Sequence, residues 1–214
     1  MTEPVVVLVV GLPGAGKTTL IDRAANSSDW TVLDLDRFRR RLPTALRRIP
    51  LPYPVYVPVV IVAIAREMHV VVESRGTYAW LRRLVCARAR ARGHLAVILL
   101  LEVPPDAAST GQVRRGRVVP GWVMRWHVTR WNWLLDAART GALAAEGWSQ
   151  VTVLDRAQAS AVDDLGELVR WPSAVRRDGN ELSEPHGHAS VDASLSGLDP
   201  DDQQSLPPSG AASP

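Results

Sequence analysis

The chain is 214 residues long, with 46% hydrophobic residues, 22% charged residues and a single cysteine, Cys86. This length suits one α/β domain with an appendage, and the longest apolar runs are far shorter than the roughly 20 residues of a membrane helix. One cysteine excludes an intrachain disulfide framework and a multi-cysteine metal site. Because no signal-peptide pattern follows Met1 either, we expect a cytoplasmic protein that does not contact a membrane.

The net charge of +3 combines a basic body with an acidic tail. Residues 1–171 carry most of the arginines, and a basic body suits phosphate-bearing ligands, although a solvated arginine surface is the alternative. Residues 172–214 are rich in Ser, Pro, Gly and Asp and hold almost no large apolar side chain, so they cannot offset the entropy of ordering. We predict a folded domain over residues 1–171 and a disordered tail over residues 172–214.

Short apolar runs alternate with segments of helical character along the body. Strands are predicted at Val5–Val10, Thr31–Leu35, His69–Glu73, Leu95–Leu101 and Val151–Leu154. Helices are predicted at Lys17–Asn26, Val59–Met68, Thr77–Arg92 and Trp122–Ala138. Continuously apolar strands indicate a sheet that is covered on both faces, and the alternation is typical of a doubly wound parallel α/β fold with five strands. Ligands bind such sheets at the carboxyl ends of the strands, so we expect functional residues directly after them.

A phosphate-binding loop follows the first predicted strand. The loop is Gly11-Leu12-Pro13-Gly14-Ala15-Gly16-Lys17-Thr18, which fits the G-x-x-x-x-G-K-[ST] pattern in the context that this pattern requires. Its glycines let backbone N–H groups turn toward phosphates, Lys17 reaches the β and γ oxygens, and Thr18 offers a hydroxyl to Mg²⁺. Thr19 completes the expected nucleotide contacts. The loop therefore predicts binding of ATP or a close relative together with Mg²⁺.

Two acids lie at the end of the second predicted strand. Asp34 and Asp36 are two residues apart, so on a strand both would project into the cleft. We interpret Asp36 as the base that accepts the proton of a hydroxyl acceptor, and Asp34 as a water-mediated partner of Mg²⁺. For either residue the alternative is a cap of the following helix. Arg39 either binds substrate phosphate or lies on the surface.

Prolines at positions 50, 52, 54 and 58 separate this region from the third strand. Proline has no backbone N–H and is poorly accommodated inside helices and strands. We therefore predict a loop over Leu51–Val60 that lines one wall of the cleft.

Further charged residues follow the third and fourth predicted strands. Glu73 stands where an acid often organises Mg²⁺ or its water shell, and a helix cap is the alternative. Arg114, Arg115 and Arg117 surround Gly116, and mobile arginines beside a glycine suit a lid that closes over the nucleotide. We assign Arg114 and Arg117 to catalysis and Arg115 to nucleotide binding. A solvated basic turn is the competing interpretation.

The stretch over residues 122–133 contains four of the eight tryptophans, interleaved with arginines. Aromatic rings among cations can stack bases, as in single-strand binders. Trp122, Trp126 and Trp133 recur close to helical spacing, however, which favours a packed helix face. Asp155 follows the fifth strand, where a residue is expected to contact the base or ribose of the nucleotide.

These residues resemble those of the small P-loop kinases, a group of predicted kinases and AAA-family ATP-binding proteins near the polynucleotide 5′-kinases and the zeta toxins. The resemblance extends from Val5 to about Leu154. It rests on the phosphate-binding loop, on Asp36-Arg37-Phe38-Arg39, which is similar to the D-x-x-R of 5′-hydroxyl kinases, and on the arginine lid. Asp34-Leu35-Asp36 also resembles the paired acids of shikimate kinase, but the Gly-Gly-Gly acceptor motif of that enzyme is absent.

This resemblance implies a P-loop NTPase fold of the nucleoside or polynucleotide kinase type, with strand order 2-3-1-4-5. It also implies a monomer or weak dimer and arginine-assisted transfer of the γ-phosphate. The leading hypothesis is an ATP- and Mg²⁺-dependent phosphotransferase that acts on a nucleic-acid end, a nucleoside or another small metabolite. An ATP-binding or ATP-hydrolysing switch and a nucleic-acid-binding module regulated by ATP are the alternatives. Asp36 and Arg39 favour the kinase, because a switch needs no second carboxylate facing an acceptor.

Overall fold

The computed structural model describes residues 3–25, 29–42, 53–76, 78–114, 116 and 119–170. The predicted disordered tail over residues 172–214 lies outside the described residues. Within the described part of the chain, no helix combines the length and the hydrophobicity of a membrane span.

Five parallel strands form one sheet in the order β2-β3-β1-β4-β5. Their bounds are Val5–Gly11 for β1, Thr31–Asp34 for β2, His69–Ser74 for β3, Leu95–Leu101 for β4 and Gln150–Leu154 for β5. The doubly wound α/β fold and the strand order implied by the resemblance are both confirmed. In the register of the sheet, Val10 lies beside Ser74 on one side and Leu100 on the other, so the carboxyl ends of three strands meet at one edge.

Helices connect the strands and cover both faces of the sheet. Within the described residues they are α1 Lys17–Ala24, α2 Leu35–Arg41, α3 Tyr53–Arg66, α4 Ala79–Ala91, α5 Pro105–Arg114, α6 Gly121–Arg139, α7 Ala142–Ala145, α8 Arg156–Ala161 and α9 Leu165–Arg170. The central strand β1 is buried along its whole length. Full burial of each Val or Leu side chain contributes roughly 1.5–3 kcal/mol, so the sheet is a firm base for the loops at its edge.

From Tyr53 onward the proline-rich segment forms helix α3, which corrects the loop predicted over Leu51–Val60 for its residues 53–60. The first two prolines of that segment lie outside the described residues. Pro54 occupies the first turn of the helix, where backbone N–H groups have no intrahelical partner in any case, and Pro58 removes one hydrogen bond, to the carbonyl of Pro54. The helix survives because one face packs on the sheet. Its buried residues are Tyr56, Val60, Ala63 and Ile64.

The prediction that Trp122, Trp126 and Trp133 form the packed face of a helix is wrong, because on helix α6 these residues lie on the more exposed face. These side chains are 70%, 38% and 66% exposed. The residues that pack are His127, Trp131, Leu134, Leu135 and Ala138. Both sets recur at helical spacing. Each tryptophan precedes a buried residue by five positions, as Trp122 precedes His127, and five positions correspond to a rotation of about 140° around the helix. The spacing shows that the three tryptophans share a face, but it does not show which face meets the sheet.

A buried ion pair holds the start of α4 against the turn that follows α7. Arg82 donates from Nε to Glu146 Oε2 at 2.8 Å and from Nη2 to Glu146 Oε1 at 2.6 Å. Its Nη1 donates to the carbonyl of Gly76, just after β3, at 3.5 Å. Burial alone would raise the pKa of Glu146, but the hydrogen bonds and charges of Arg82 and Arg83 hold that pKa below its usual value.

We expect Glu146→Gln to lower the free energy of unfolding at pH 7 by about 2 kcal/mol, because a mostly buried guanidinium loses its charged partner. The folded-state pKa of Glu146 is depressed, so this stabilisation is present at neutral pH and is lost as pH falls through the folded pKa. Denaturant titrations at several pH values measure the effect. Glu102→Gln, in the exposed pair with Arg139, is the control and should change little. A Glu146→Gln deficit that stays constant into acid would contradict the assignment.

Candidate functional site

The phosphate-binding loop curls between β1 and α1. Gly14 and Gly16 have φ angles of +86° and +101°, in the left-handed region that favours glycine. Lys17 is 6% exposed, and its Nζ donates to the carbonyl oxygens of Gly11 at 2.9 Å and Leu12 at 3.1 Å. The ammonium therefore lies inside the loop, where the phosphates of a nucleotide would replace these carbonyls as its partners.

Helix α5 packs against the loop without space for a side chain between the two backbones. A Cβ on Gly14 would lie 2.1 Å from the carbonyl oxygen of Ala108, and a Cβ on Gly111 would lie 2.5 Å from the carbonyl oxygen of Gly14. Gly111 is thus as necessary to the loop as Gly14. The loop pattern does not include Gly111, so the sequence gives no signal for it.

Gln112 connects the loop to the segment that carries the predicted lid arginines. Its side chain is buried, its Nε2 donates to the carbonyl of Pro13 at 3.1 Å, and its Oε1 accepts from the backbone N–H of Val119 at 2.8 Å. A single amide therefore joins the phosphate-binding loop to the chain just beyond Arg117. In the sequence, the feature that distinguishes Gln112 is a neutral polar side chain beside a run of arginines. This feature does not indicate a structural role.

Glu73 lies beside Thr18 and Lys17. The hydroxyl of Thr18 donates to Glu73 Oε2 at 3.2 Å, and Lys17 Nζ is 3.9 Å from Glu73 Oε1. Burial raises the pKa of Glu73; the charge of Lys17 opposes the rise, and the charges of Asp34 and Asp36 add to it. A cation near these carboxylates would favour the ionised form of Glu73.

The oxygen ligands at this position fit Mg²⁺. In the described part of the chain, no group of three acidic, histidine or cysteine side chains forms a metal cage. Mg²⁺ does not need one, because it is usually held by one or two carboxylates, substrate phosphates and water. Thr18 and Glu73, with Asp34 paired to Glu73 across β2 and β3, are the residues that would hold it.

The second strand ends one residue earlier than predicted, which corrects the expected geometry of the two acids. Asp34 is the N-cap of α2, and its Oδ1 accepts from the N–H groups of Asp36 at 2.7 Å and Arg37 at 3.1 Å. Capping the free N–H groups of the new helix stops the strand. Asp34 and Asp36 therefore do not share one face of a strand. Both nevertheless line the same cleft, Asp36 from the first turn of α2.

A cleft of about 510 Å³ extends from the phosphate-binding loop over the ends of β2 and β3. Lys17, Thr18 and Glu73 line it. Arg39, predicted either to bind substrate phosphate or to lie on the surface, also lines the cleft, and so does Arg75, to which no role is assigned from sequence. The cleft thus holds acids and arginines as well as the residues of the phosphate-binding loop.

A second hollow, of about 360 Å³, lies on the other side of the loop and includes Thr19, Arg156 and Ser160. Asp155, which was expected to contact the base or ribose, does not line it. Its carboxylate accepts from Gln158 N at 2.8 Å, and Gln158 Oε1 accepts from Asp155 N at 3.0 Å, forming a capping box at the start of α8. The neighbouring Arg156 lies in the hollow instead.

The structure describes only part of the predicted arginine lid. Arg114 is the last residue of α5, but its side chain lies outside the described residues, as do Arg115 and Arg117. Their assignment to catalysis and nucleotide binding remains a prediction.

A protein-family profile described as an AAA domain matches residues 6–131. The matched range contains the phosphate-binding loop, Asp36, Glu73 and the predicted lid. No curated protein sequence matches the chain significantly.

Several solved structures share the fold at low identity. A structure from the PezAT toxin–antitoxin system of Streptococcus pneumoniae is 16% identical, with 74% of this chain and 69% of that chain covered at a TM-score of 0.54. One from the Pnkp1/Rnl/Hen1 RNA repair complex is 16% identical, with 64% and 46% covered at 0.51. A gluconokinase from Sinorhizobium meliloti is 17% identical, with 79% and 90% covered at 0.49. The first two support the assignment of the fold.

We expect Gln112→Leu to lower the free energy of unfolding by about 2 kcal/mol, because it leaves the Pro13 carbonyl and the Val119 N–H without their partner. Gln112→Glu should also destabilise, since its carboxylate can accept from Val119 but cannot donate to Pro13. Denaturant unfolding measures both, with Asn132→Ala, an exposed amide on α6, as the control. Wild-type stability in Gln112→Leu would show that the two hydrogen bonds contribute nothing.

Proposed function

The chain belongs to the AAA-domain family, and we propose from this premise that it is an ATP- and Mg²⁺-dependent phosphotransferase acting on a hydroxyl acceptor. The P-loop kinase fold accounts for nucleotide binding and phosphoryl transfer in general. The observation that carries the proposal is that Asp36 and Arg39 line the same cavity as Lys17. A nucleotide switch does not require these further charged residues in the cavity that holds the phosphates.

The triphosphate binds in the curl of the loop. Lys17 turns from the carbonyls of Gly11 and Leu12 to the β and γ oxygens, and the N-terminus of α1 adds its positive end. Thr18 and Glu73, with Asp34, would hold Mg²⁺, which would supply neutralisation of phosphate charge. The nucleoside part extends into the hollow beside Arg156.

The acceptor binds over the ends of β2 and β3. Asp36 accepts the proton of the acceptor hydroxyl, the hydroxyl oxygen forms a bond to the γ-phosphorus, and the bond from that phosphorus to the β–γ bridging oxygen breaks, leaving ADP. The cap made by Asp34 fixes the first turn of α2 and with it the position of Asp36. Arg39 and the lid residues Arg114 and Arg117 balance the transferred charge, and Arg115 closes on the nucleotide.

Two other functions remain in competition with this one. A switch would bind and hydrolyse ATP without an acceptor. Nucleic-acid binding is favoured by one observation on α6, where Trp122 and Trp133 are exposed and the guanidinium of Arg130 lies 4.9 Å from the ring centre of Trp126. That surface would suit a nucleic-acid end as the acceptor. A cytoplasmic monomer or weak dimer stays part of the proposal.

We expect Lys17→Ala to weaken binding of Mg·ATP by about 100-fold and to abolish turnover, because the ammonium that meets the β and γ phosphates is removed. Arginine at this position should rescue poorly, since its larger planar head does not fit the space between the two carbonyls. Titration calorimetry with a non-hydrolysable ATP analogue measures the affinity. Unchanged affinity in Lys17→Ala would refute the loop as the nucleotide site.

Asp36→Asn should reduce acceptor-stimulated ADP formation by about 10² to 10⁴-fold with little change in ATP affinity, because general-base assistance is lost. Steady-state kinetics over a range of Mg²⁺ concentrations measures it. Asp34→Asn is the comparison variant. It removes the carboxylate but retains the helix cap, because Asn and Asp are equally good at the N-cap position. If Asp34 also assists Mg²⁺, excess Mg²⁺ should recover part of the rate in Asp34→Asn and none in Asp36→Asn. A wild-type rate in Asp36→Asn would contradict the assignment of Asp36 as the base.

A further inference from the structure

A separate groove of about 580 Å³ opens between the first two turns of α3 and the start of α4. None of the described residues that line it belongs to the phosphate-binding loop. The described residues that line it are Tyr53, Pro54, Val57, Pro58, Tyr78 and Trp80.

Three aromatic rings that contact one another line this groove. The ring of Tyr53 meets the ring of Tyr78 at 5.3 Å and that of Trp80 at 5.7 Å, both edge to face. Trp80 is 48% exposed, so much of this large ring remains open to a further partner. Edge-to-face packing holds the rings in fixed orientations and leaves ring faces available for stacking.

Two prolines also line the groove, which gives a role to the residues that make α3 unusual. Pro54 and Pro58 are four positions apart and so project from the same face of the helix. Apolar proline and aromatic rings in one lining suit an apolar, ring-bearing group.

The groove adjoins the cleft at Tyr53, which lines both cavities. The pKa of Tyr53 is raised, first by burial, and the nearby charges of Arg75 and Asp36 act on it in opposite directions. The phenol therefore lies within electrostatic range of the proposed base. A ring in the groove can place a hydroxyl group near Asp36.

The lining also limits which ring-bearing compound fits. Among the described residues that line the groove, none carries a formal charge. A polynucleotide would bring backbone phosphates next to its first base, which the uncharged lining would not contact favourably. An uncharged small molecule brings no such charge.

We infer, on the basis of the proposed phosphotransfer, that the acceptor is a small uncharged alcohol carrying an aromatic ring. The ring stacks against the aromatic side chains and the prolines of the groove, while its hydroxyl extends past Tyr53 to Asp36. The ring thereby selects the acceptor and orients the hydroxyl for transfer.

Matched pairs of probes test this inference. Thymidine is compared with 2-deoxyribose, and 4-nitrophenyl β-glucoside with glucose, by titration calorimetry in the presence of a non-hydrolysable Mg·ATP analogue. We expect the ring-bearing member of each pair to bind at least about tenfold more tightly, the scale of one stacking contact. A dodecathymidylate with a free 5′-hydroxyl should bind no more tightly than thymidine.

Two substitutions locate the binding. Trp80→Ala should lower the affinity for the ring-bearing probes by about tenfold. Val57→Trp should prevent their binding, because the larger side chain fills the groove. The affinity for the ATP analogue should be unchanged in both variants. Trp133→Ala, which removes an exposed tryptophan outside the groove, is the matched control and should leave all four small probes unaffected.

Three results would overturn the inference: equal binding of rings and sugars, insensitivity of ring binding to both groove variants, or salt-dependent binding of the oligonucleotide that Trp133→Ala removes. The ATP titration separates this failure from failure of the proposed function. A protein that binds the ATP analogue and transfers phosphate to glucose as well as to its nitrophenyl derivative would retain the function and lose the aromatic acceptor.

Discussion

The site depends on one constraint, which is that a buried cation and a buried acid must be held together at the carboxyl edge of a parallel sheet. Lys17 Nζ and Glu73 Oε1 are 3.9 Å apart, and both side chains are mostly removed from water. Neither charge would be tolerated there alone, because an unpaired buried ion is costly. The pair is possible because β1 and β3 are neighbours whose ends coincide, and because loop carbonyls also bind the ammonium. In the proposed function, a nucleotide with Mg²⁺ would supply stronger partners to both groups, and this arrangement would be preorganised for that ligand.

The regions around this pair are fixed by backbone contacts and by caps. Gly14 and Gly111 bring the loop and α5 into direct backbone contact, and Gln112 joins the loop to the chain near the predicted lid. On the other side, Asp34 ends a strand and starts a helix, which sets where Asp36 points. The cleft and the second hollow therefore share the phosphate-binding loop as a common wall.

The parts of the fold that depend on local pattern were predictable from sequence. The apolar runs predicted the strands of the sheet, and the sequence pattern of the phosphate-binding loop follows from the geometry of phosphate binding. The boundaries of the elements and the buried faces of the helices were more difficult to predict. Asp34 has the same residue type whether it ends a strand or caps a helix, Pro58 is tolerated because packing on the sheet outweighs one lost hydrogen bond, and the tryptophans of α6 show helical spacing without showing the buried side. Contacts between distant segments, such as Gln112 with Pro13, leave no periodic signal at all.

The central claim is that the γ-phosphate goes to an organic hydroxyl and not to water. The most direct measurement incubates the protein with ATP, Mg²⁺ and a mixture of hydroxyl acceptors in ¹⁸O-labelled water, followed by mass spectrometry of the phosphorylated products and of inorganic phosphate. Transfer to an acceptor retains the acceptor's own oxygen, so the account predicts a phosphorylated acceptor without ¹⁸O in its new phosphate ester. Inorganic phosphate carrying one ¹⁸O as the sole product, with every acceptor tested, would contradict the account and identify the protein as a hydrolytic switch.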